Sequence, residues 1–181
     1  MFIKGSKRYN YRHNSERAVS PEFGKMINGQ GMGLVANYRY GICHMSFNGC
    51  EVIAVHNALV WLCRPQPLMD IAYFMERYRV LMGFFGCNVY KIGKALAHFG
   101  AEYERAADPG DAGAFIVSFW TGRPFLSPIH TVFCVKTASG IDVYNKYNTC
   151  PGVRSCQDIG GIIGKRKPIA LYRIISPARQ D

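Results

Sequence analysis

The 181-residue sequence has no apolar run long enough to cross a bilayer, and it has no internal repeat or low-complexity tract. Residues 1–8 also lack the apolar core of a secretory signal peptide. These absences argue against an integral membrane protein and against export by a cleaved leader. We therefore expect a cytoplasmic protein without a membrane span.

No two of the seven cysteines form a C-x-x-C pair, the spacing typical of zinc sites. Cys43, His44, Cys50 and Cys63 could be combined into a zinc site on paper, but Cys50 and Cys63 would lie several turns apart on one helix. We predict no metal and no cofactor. The odd number of cysteines leaves at least one thiol free and, with apolar surroundings as at Cys134, favours a reducing compartment.

Acidic residues are scarce: 12 Asp and Glu stand against 22 Lys and Arg, a net charge of +10. Much of the positive charge lies near the two ends, with no DNA- or RNA-binding signature beside it, so we do not expect a nucleic-acid partner. An apolar fraction of 49% with a charged fraction of 19% excludes a disordered chain. We predict a basic, irregular N-terminal arm (1–31) and a single domain (32–181).

Helical patterns dominate the first half of the chain. Residues 49–63 are apolar nearly all round, as in a helix buried at the centre of a domain. Further helices are predicted at about 67–82 and at 88–98, and a short strand at 34–40.

The second half is typical of antiparallel strands. Strands are predicted at 103–106, 114–120, 130–136, 141–145 and 169–175, with a loop-rich stretch at 148–167. A tight turn at 138–140 joins two of them into a hairpin. Helices followed by antiparallel strands indicate an α+β fold, in which the N-terminal helices pack on a C-terminal sheet.

Cys50 lies where the central helix is predicted to begin. Asn48 is a suitable N-cap, and Glu51 completes a capping-box pattern. A thiol in the first turn lies beside the positive end of the helix dipole, which favours the nucleophilic thiolate. Cys50 is thus a candidate nucleophile, and a buried structural cysteine is the alternative.

A cysteine nucleophile needs a base and a group that orients the base. His130 opens one strand of the predicted hairpin, and Asn145 ends the other. Because hairpin strands lie side by side, the two residues are expected to fall roughly level. We predict His130 as the base and Asn145 as its orienting group, with Asn148 as a rival for Asn145.

The order Cys50, His130-Thr131-Val132, Tyr144-Asn145 resembles the papain-like cysteine peptidases. The local motifs, including Gly83-Phe84-Phe85-Gly86, are most similar to the C39-like branch, which cuts peptides after a double glycine, and to its bacterial relatives. The resemblance covers about residues 40–150. It implies a papain-like fold and thiol-protease activity.

Two positions depart from that family. His44 stands six residues before Cys50, where relatives have a glutamine whose amide helps to form the oxyanion hole, and Glu51 stands where they tend to have a small residue. We predict His44 or Asn48 as the side-chain oxyanion donor, acting with the Cys50 main-chain N–H. Gln30 lies too far upstream to assign from sequence.

Two functions from different classes follow. The first is a thiol hydrolase that uses a Cys50-His130-Asn145 triad on a peptide or protein substrate; a peptidase, an acyltransferase and a deamidase all share its thioester step. The second is a catalytically impaired papain-like binding module whose basic surface holds an acidic partner.

Overall fold

The structure, a computed structural model, describes residues 5–17 and 24–176. Its helices are α1 (Lys7–Ser15), α2 (Met45–Asn48), α3 (Cys50–Trp61), α4 (Leu68–Met75), α5 (Ile92–His98) and α6 (Ile159–Ile163). Its strands are β1 (Arg39–Tyr40), β2 (Cys43–His44), β3 (Tyr103–Ala106), β4 (Ala114–Trp120), β5 (Ile129–Thr137), β6 (Gly140–Tyr144), β7 (Arg154–Cys156) and β8 (Ala170–Ile174).

Six of the strands form one antiparallel sheet in the order β3-β8-β4-β5-β6-β7, and β1 pairs separately with β2. The predicted hairpin is present, since β5 and β6 pair from Phe133–Tyr144 to Thr137–Gly140. The helices together with this antiparallel sheet confirm the α+β prediction.

Helix α3 is the centre of the molecule. Every residue from Cys50 to Leu59 is buried, as expected for a helix that is apolar on all sides. It packs against β4 and β5 of the sheet and against α4 and α5. This position brings the start of α3 to the sheet at β5.

The other face of the sheet has its own apolar cluster. Val117, Val132 and Val143 pack there with Ile162 and Ile163 of α6. Successive residues of a strand point to opposite faces, so the same strands supply side chains to both clusters. Thr131 and Phe133 therefore face α3, while the residues that alternate with them on β5 face away.

The second predicted helix is shorter than expected. Helix α4 ends at Met75, and a 3-10 turn at Glu76–Tyr78 follows it. Leu81 and Met82, within the predicted range, have φ values of 45° and 58°. These left-handed conformations are incompatible with a continuing right-handed helix.

Two other segments differ from the sequence prediction. The strand predicted at 34–40 is a 3-10 turn at Val35–Asn37 followed only by the two residues of β1. The stretch 148–167, predicted as loop-rich, contains β7 and α6.

The N-terminal arm was predicted to be irregular, and for Lys7–Ser15 this is wrong. The buried residues of α1 are the polar Asn10 and Asn14. The side chain of Asn14 exchanges two hydrogen bonds with the main chain of Arg39, at 3.0 and 2.7 Å. Because the helix docks through side-chain amides, it has no apolar stripe to detect. Residues 1–4 and 18–23 of the arm lie outside the described residues.

Within residues 5–17 and 24–176, no helix is suited to crossing a membrane. The longest, α3, has 12 residues, whereas a crossing needs about 20.

Candidate functional site at the start of helix α3

Cys50 is the first residue of α3, and Gly49 separates that helix from α2. A Cβ atom at position 49 would lie 2.0 Å from Cγ of Met45 and 2.7 Å from its carbonyl oxygen, so only glycine fits this break. The thiol-bearing residue is 6% exposed. Cys50 thus begins the buried helix, as predicted, but its side chain is covered.

The predicted capping by Asn48 and Glu51 is wrong. Gly49 is the N-cap residue of α3, and no side chain caps it. The side-chain nitrogen of Asn48 instead donates to the carbonyl oxygens of Tyr40, at 3.0 Å, and Gly83. Tertiary acceptors have displaced the local capping bond, because buried carbonyls also need donors.

This geometry bears on both predicted oxyanion donors. The two N–H groups of the Asn48 amide are engaged by main-chain carbonyls in this conformation. His44 is exposed in β2, where it pairs with Arg39, and it precedes the first residue of α2. Their oxyanion roles stay predictions.

The environment of the Cys50 thiol opposes the effect expected from the helix dipole. Burial raises its pKa well above the usual value, and the neighbouring Glu51 carboxylate raises it further. The main-chain N–H of Thr131 acts in the opposite direction and lowers this pKa. Thr131 directly precedes Val132 on β5 and directly follows His130, so the thiol lies against the strand that carries the candidate base.

The imidazole of His130 is held by the main chain of Asn145. Its Nε2 atom lies 2.7 Å from the Asn145 carbonyl oxygen. A carbonyl only accepts hydrogen bonds, so Nε2 must carry the proton, and Nδ1 is the basic nitrogen of the neutral ring. The ring also packs edge-on against Phe119, with centroids 6.0 Å apart.

His130 is suited to the neutral form. Burial lowers its pKa below the usual value, and the Lys146 ammonium group adds to this, while the carbonyl of Asn145 raises it. Alternation along β5 places the ring on the face opposite to Thr131. Both residues are described, and no hydrogen bond joins the Cys50 thiol to His130 in this conformation.

Asn145 joins three segments of the chain. It follows β6 with a left-handed φ of 59°, a conformation that asparagine tolerates. Its N–H donates to the side chain of Asn28 at 2.8 Å. Its side-chain amide accepts from the N–H of Gln30 at 3.0 Å and donates to the side chain of Gln30 at 2.9 Å.

Gln30 is a site residue that sequence reasoning missed. It is buried, and its Nε2 atom donates to the carbonyl oxygen of Ser46 at 3.1 Å. Gln30 therefore links Asn145 to α2, the helix immediately before Cys50. The signal in the sequence is weak, because Asn28-Gly29-Gln30-Gly31 indicates only a polar turn, and the contacts span more than a hundred residues.

The strap, residues 27–31, is fixed at both ends. At one end, the side chain of Asn57 accepts from the N–H of Ile27 at 2.8 Å and donates to its carbonyl at 3.0 Å. At the other, the N–H of Gly31 donates to the carbonyl of Asn148 at 2.8 Å. Asn148, the rival candidate, thus contributes its main chain to the strap.

Glu51 is a buried carboxyl group beside the nucleophile. It is 3% exposed, and burial raises its pKa to about 7. Its Oε2 atom has no hydrogen-bond partner among the described residues. Tyr40, Cys87 and Gly86 surround it.

Exposed apolar side chains lie beside the site. We call this surface the apolar rim; its members are Ile42, Phe47, Leu81, Met82, Phe84 and Phe85. The rings of Phe47 and Phe84 are 5.5 Å apart, and the N–H of Ile42 donates to the Met82 carbonyl at 3.1 Å. Because Asn48 donates to the carbonyl of Gly83 within the same loop, the rim is attached to the start of α3.

In the described part of the chain, no three His, Cys, Asp or Glu side chains form a group that could hold a metal ion. Comparison with models of known protein families, with curated proteins and with solved structures finds no match to this chain.

Proposed function

We propose that the protein is a papain-like thiol hydrolase in which Cys50 attacks a peptide or amide carbonyl. The observation that carries the proposal is the contact of the Cys50 thiol with the main chain of Thr131, next to a histidine whose Nε2–H is already held by Asn145. That bond leaves Nδ1 of His130 as the available base.

In the proposed reaction, the thiol proton of Cys50 passes to Nδ1 of His130, and the sulfur bonds to the carbonyl carbon. The tetrahedral intermediate then collapses, and the imidazolium returns its proton to the leaving amine. A thioester on Cys50 remains, and water hydrolyses it with His130 again acting as base. In this conformation the His130 ring lies on the face of β5 opposite to Thr131. The reaction therefore requires the start of β5 to rearrange so that Nδ1 comes within hydrogen-bond distance of the sulfur.

The developing oxyanion needs donors near the start of α3. The proposal assigns the main-chain N–H of Cys50 and adds the amide of Gln30 to the earlier candidates His44 and Asn48. Gln30 is supported by its bond to Ser46, four residues before Cys50. The apolar rim would contact the side chains of a peptide substrate, since a large exposed apolar surface is typical of a binding site.

One observation favours the second function, a papain-like module without catalysis. Burial and the Glu51 charge both raise the pKa of the Cys50 thiol. An un-ionised thiol is a poor nucleophile. In this alternative the net charge of +10 attracts an acidic partner, and binding weakens as salt is added.

The test is the rate at which iodoacetamide alkylates each cysteine at pH 7, followed by peptide mass spectrometry in wild type and His130→Ala. Cys63 and Cys150 are exposed and provide solvent-accessible reference thiols. We expect Cys50 to react faster than both, despite its burial, and to lose at least about tenfold of its rate in His130→Ala, since a positioned base typically contributes more than that.

His98→Ala is the matched control. His98 lies on α5, away from β5, and its ring stacks on that of Phe74 with centroids 3.8 Å apart. It should leave the Cys50 rate unchanged. A Cys50 that reacts more slowly than Cys63, with a rate indifferent to His130→Ala, would refute the hydrolase and favour the binding module.

A further inference from the structure

The Glu51 carboxyl group lies in a closed compartment of the protein. Its walls come from three places: Cys50 on its own helix, Tyr40 on β1, and Gly86 with Cys87 on the segment after the apolar rim. None of the ion pairs found among residues 5–17 and 24–176 involves Glu51. A carboxylate in such a place has lost its hydration without gaining a counter-charge.

The fit of Glu51 against Gly86 shows that this placement is specific. A Cβ atom at position 86 would lie 2.8 Å from Oε2 of Glu51 and 3.1 Å from its Oε1. The carboxyl group therefore fills the space that the glycine leaves. The segment after the rim is shaped around this side chain, which a solvated helix-capping residue would not require.

The titratable groups that face Glu51 are all acids. Cys50 and Cys87 present thiols to it, and Tyr40 presents a phenol. The Tyr40 hydroxyl donates a hydrogen bond to the Met75 carbonyl, with 2.9 Å between the oxygens. The other carboxylate that acts on Tyr40 is Glu76, which forms an ion pair with Arg79, with 3.2 Å between the charged atoms. A negative charge on Glu51 therefore opposes any negative charge that develops on the Cys50 sulfur.

We propose that Glu51 is a positioning residue whose own proton decides whether Cys50 can ionise, so that the nucleophile is available when Glu51 is neutral and suppressed when it is charged. This inference rests on the proposed function of Cys50. It deepens that function by adding a regulatory group to the same site. The thiol proton still goes to Nδ1 of His130. Glu51 acts through its charge and through the hydrogen bond that its carboxylate accepts from the Cys50 thiol.

The pH range in which Glu51 ionises supports this mechanism. Burial raises its pKa to about 7, so its charge changes close to neutral pH. When Glu51 is ionised, its charge raises the pKa of the Cys50 thiol. The negative charge that Glu51 acquires near neutrality therefore delays the ionisation of Cys50 and moves the rise of its reactivity to higher pH.

The experiment measures the alkylation rate of Cys50 from pH 5.5 to 9 in wild type, Glu51→Gln, Glu51→Asp and Glu51→Ala. In Glu51→Gln the midpoint of the rise in rate should move to lower pH by about one unit or more, as expected when a like charge within contact distance is removed. Glu51→Asp keeps the charge and should retain the wild-type midpoint. Glu51→Ala removes the charge without adding an amide, and should move the midpoint in the same direction as Glu51→Gln even if one of the two folds poorly.

Glu76→Gln is the control for loss of a buried carboxylate elsewhere. It should leave the Cys50 midpoint in place, because Glu76 faces Asn10 and Arg79. Coincident profiles for wild type, Glu51→Gln and Glu51→Ala would overturn the role of Glu51 while leaving Cys50 as the nucleophile. Failure of the proposed function has a different signature, a Cys50 rate that ignores His130→Ala, and it can be recognised whatever the Glu51 variants do.

Discussion

Two hydrogen bonds join Asn145 to Gln30, and their contribution to the free energy of unfolding can be measured. In Asn145→Ala the main-chain N–H and the side-chain oxygen of Gln30 lose their partners. Each buried hydrogen bond is worth about 1 kcal/mol, and a buried donor left unpaired costs about 1–3 kcal/mol. Alanine in the left-handed conformation of residue 145 adds about 1 kcal/mol. The expected loss of unfolding free energy is about 3–5 kcal/mol for the whole substitution.

Two further variants separate these contributions. Asn145→Gly loses the same bonds without the left-handed penalty, so it should be more stable than Asn145→Ala by up to about 1 kcal/mol. Gln30→Ala removes only the side-chain bond of the pair. In a double-mutant cycle, Asn145→Ala and Gln30→Ala should therefore couple by about 0.5–1.5 kcal/mol.

Urea unfolding followed by far-UV circular dichroism provides the free energies. A loss below about 1 kcal/mol for Asn145→Ala, or additivity with Gln30→Ala within about 0.5 kcal/mol, would refute the interpretation of this network. The same variants also test the His130 contact. Because the main-chain carbonyl of residue 145 accepts from His130, Asn145→Ala should lower the Cys50 alkylation rate less than His130→Ala does.

The remaining predictions concern Glu51 and Gly86. The folded-state pKa of Glu51, about 7, lies above its unfolded value of 4.5. The folded protein therefore binds more protons in this window, and stability falls as pH rises from about 4.5 to 7. By linkage, the free energy of unfolding of Glu51→Gln should exceed that of wild type by up to about 3 kcal/mol at pH 8, and the two proteins should be almost equally stable at pH 4.5. Urea titrations at both pH values measure this, and an equal gain at the two pH values would contradict it. Gly86→Ala places a Cβ atom against Glu51 at a φ of 67° and should lower the free energy of unfolding by about 1–3 kcal/mol. The decrease should be smaller in a Glu51→Ala background. A decrease in the same urea titrations that does not depend on residue 51 would argue against the steric contact.

The parts of the fold that the sequence predicted are those determined by local pattern. The apolar residues of α3 admit no solvent-facing side, and the central helix is found where that pattern lies. The turn before Gly140 joins two alternating segments, and β5 and β6 pair through it. In both cases the residues that determine the element lie within it or next to it in the sequence.

Two of the wrong predictions, the capping of α3 and the irregular N-terminal arm, concern polar residues whose partners lie elsewhere in the chain. Asn48 and Glu51 satisfy a local capping rule, but the carbonyls of Tyr40 and Gly83 compete for the Asn48 amide. Helix α1 was missed for the same reason, since Asn10 and Asn14 dock it on acceptors 25 or more residues away. Hydrogen bonds of this kind leave no periodic trace in a sequence.

The candidate site combines both kinds of information, and this determines how its parts are connected. Local pattern places Cys50 at a helix start and His130 on a hairpin strand. A chain of hydrogen bonds connects them. The Asn145 carbonyl accepts from His130, the Asn145 side chain bonds to that of Gln30, and Gln30 donates to the carbonyl of Ser46 in α2, just before α3. The strap residue Gln30 thus ties the nucleophile element to the base element without touching the His130 ring. A substitution that breaks this connection should change stability and Cys50 reactivity together, whereas a change at Glu51, outside the connection, should alter the pH range of that reactivity and leave the His130 contact intact.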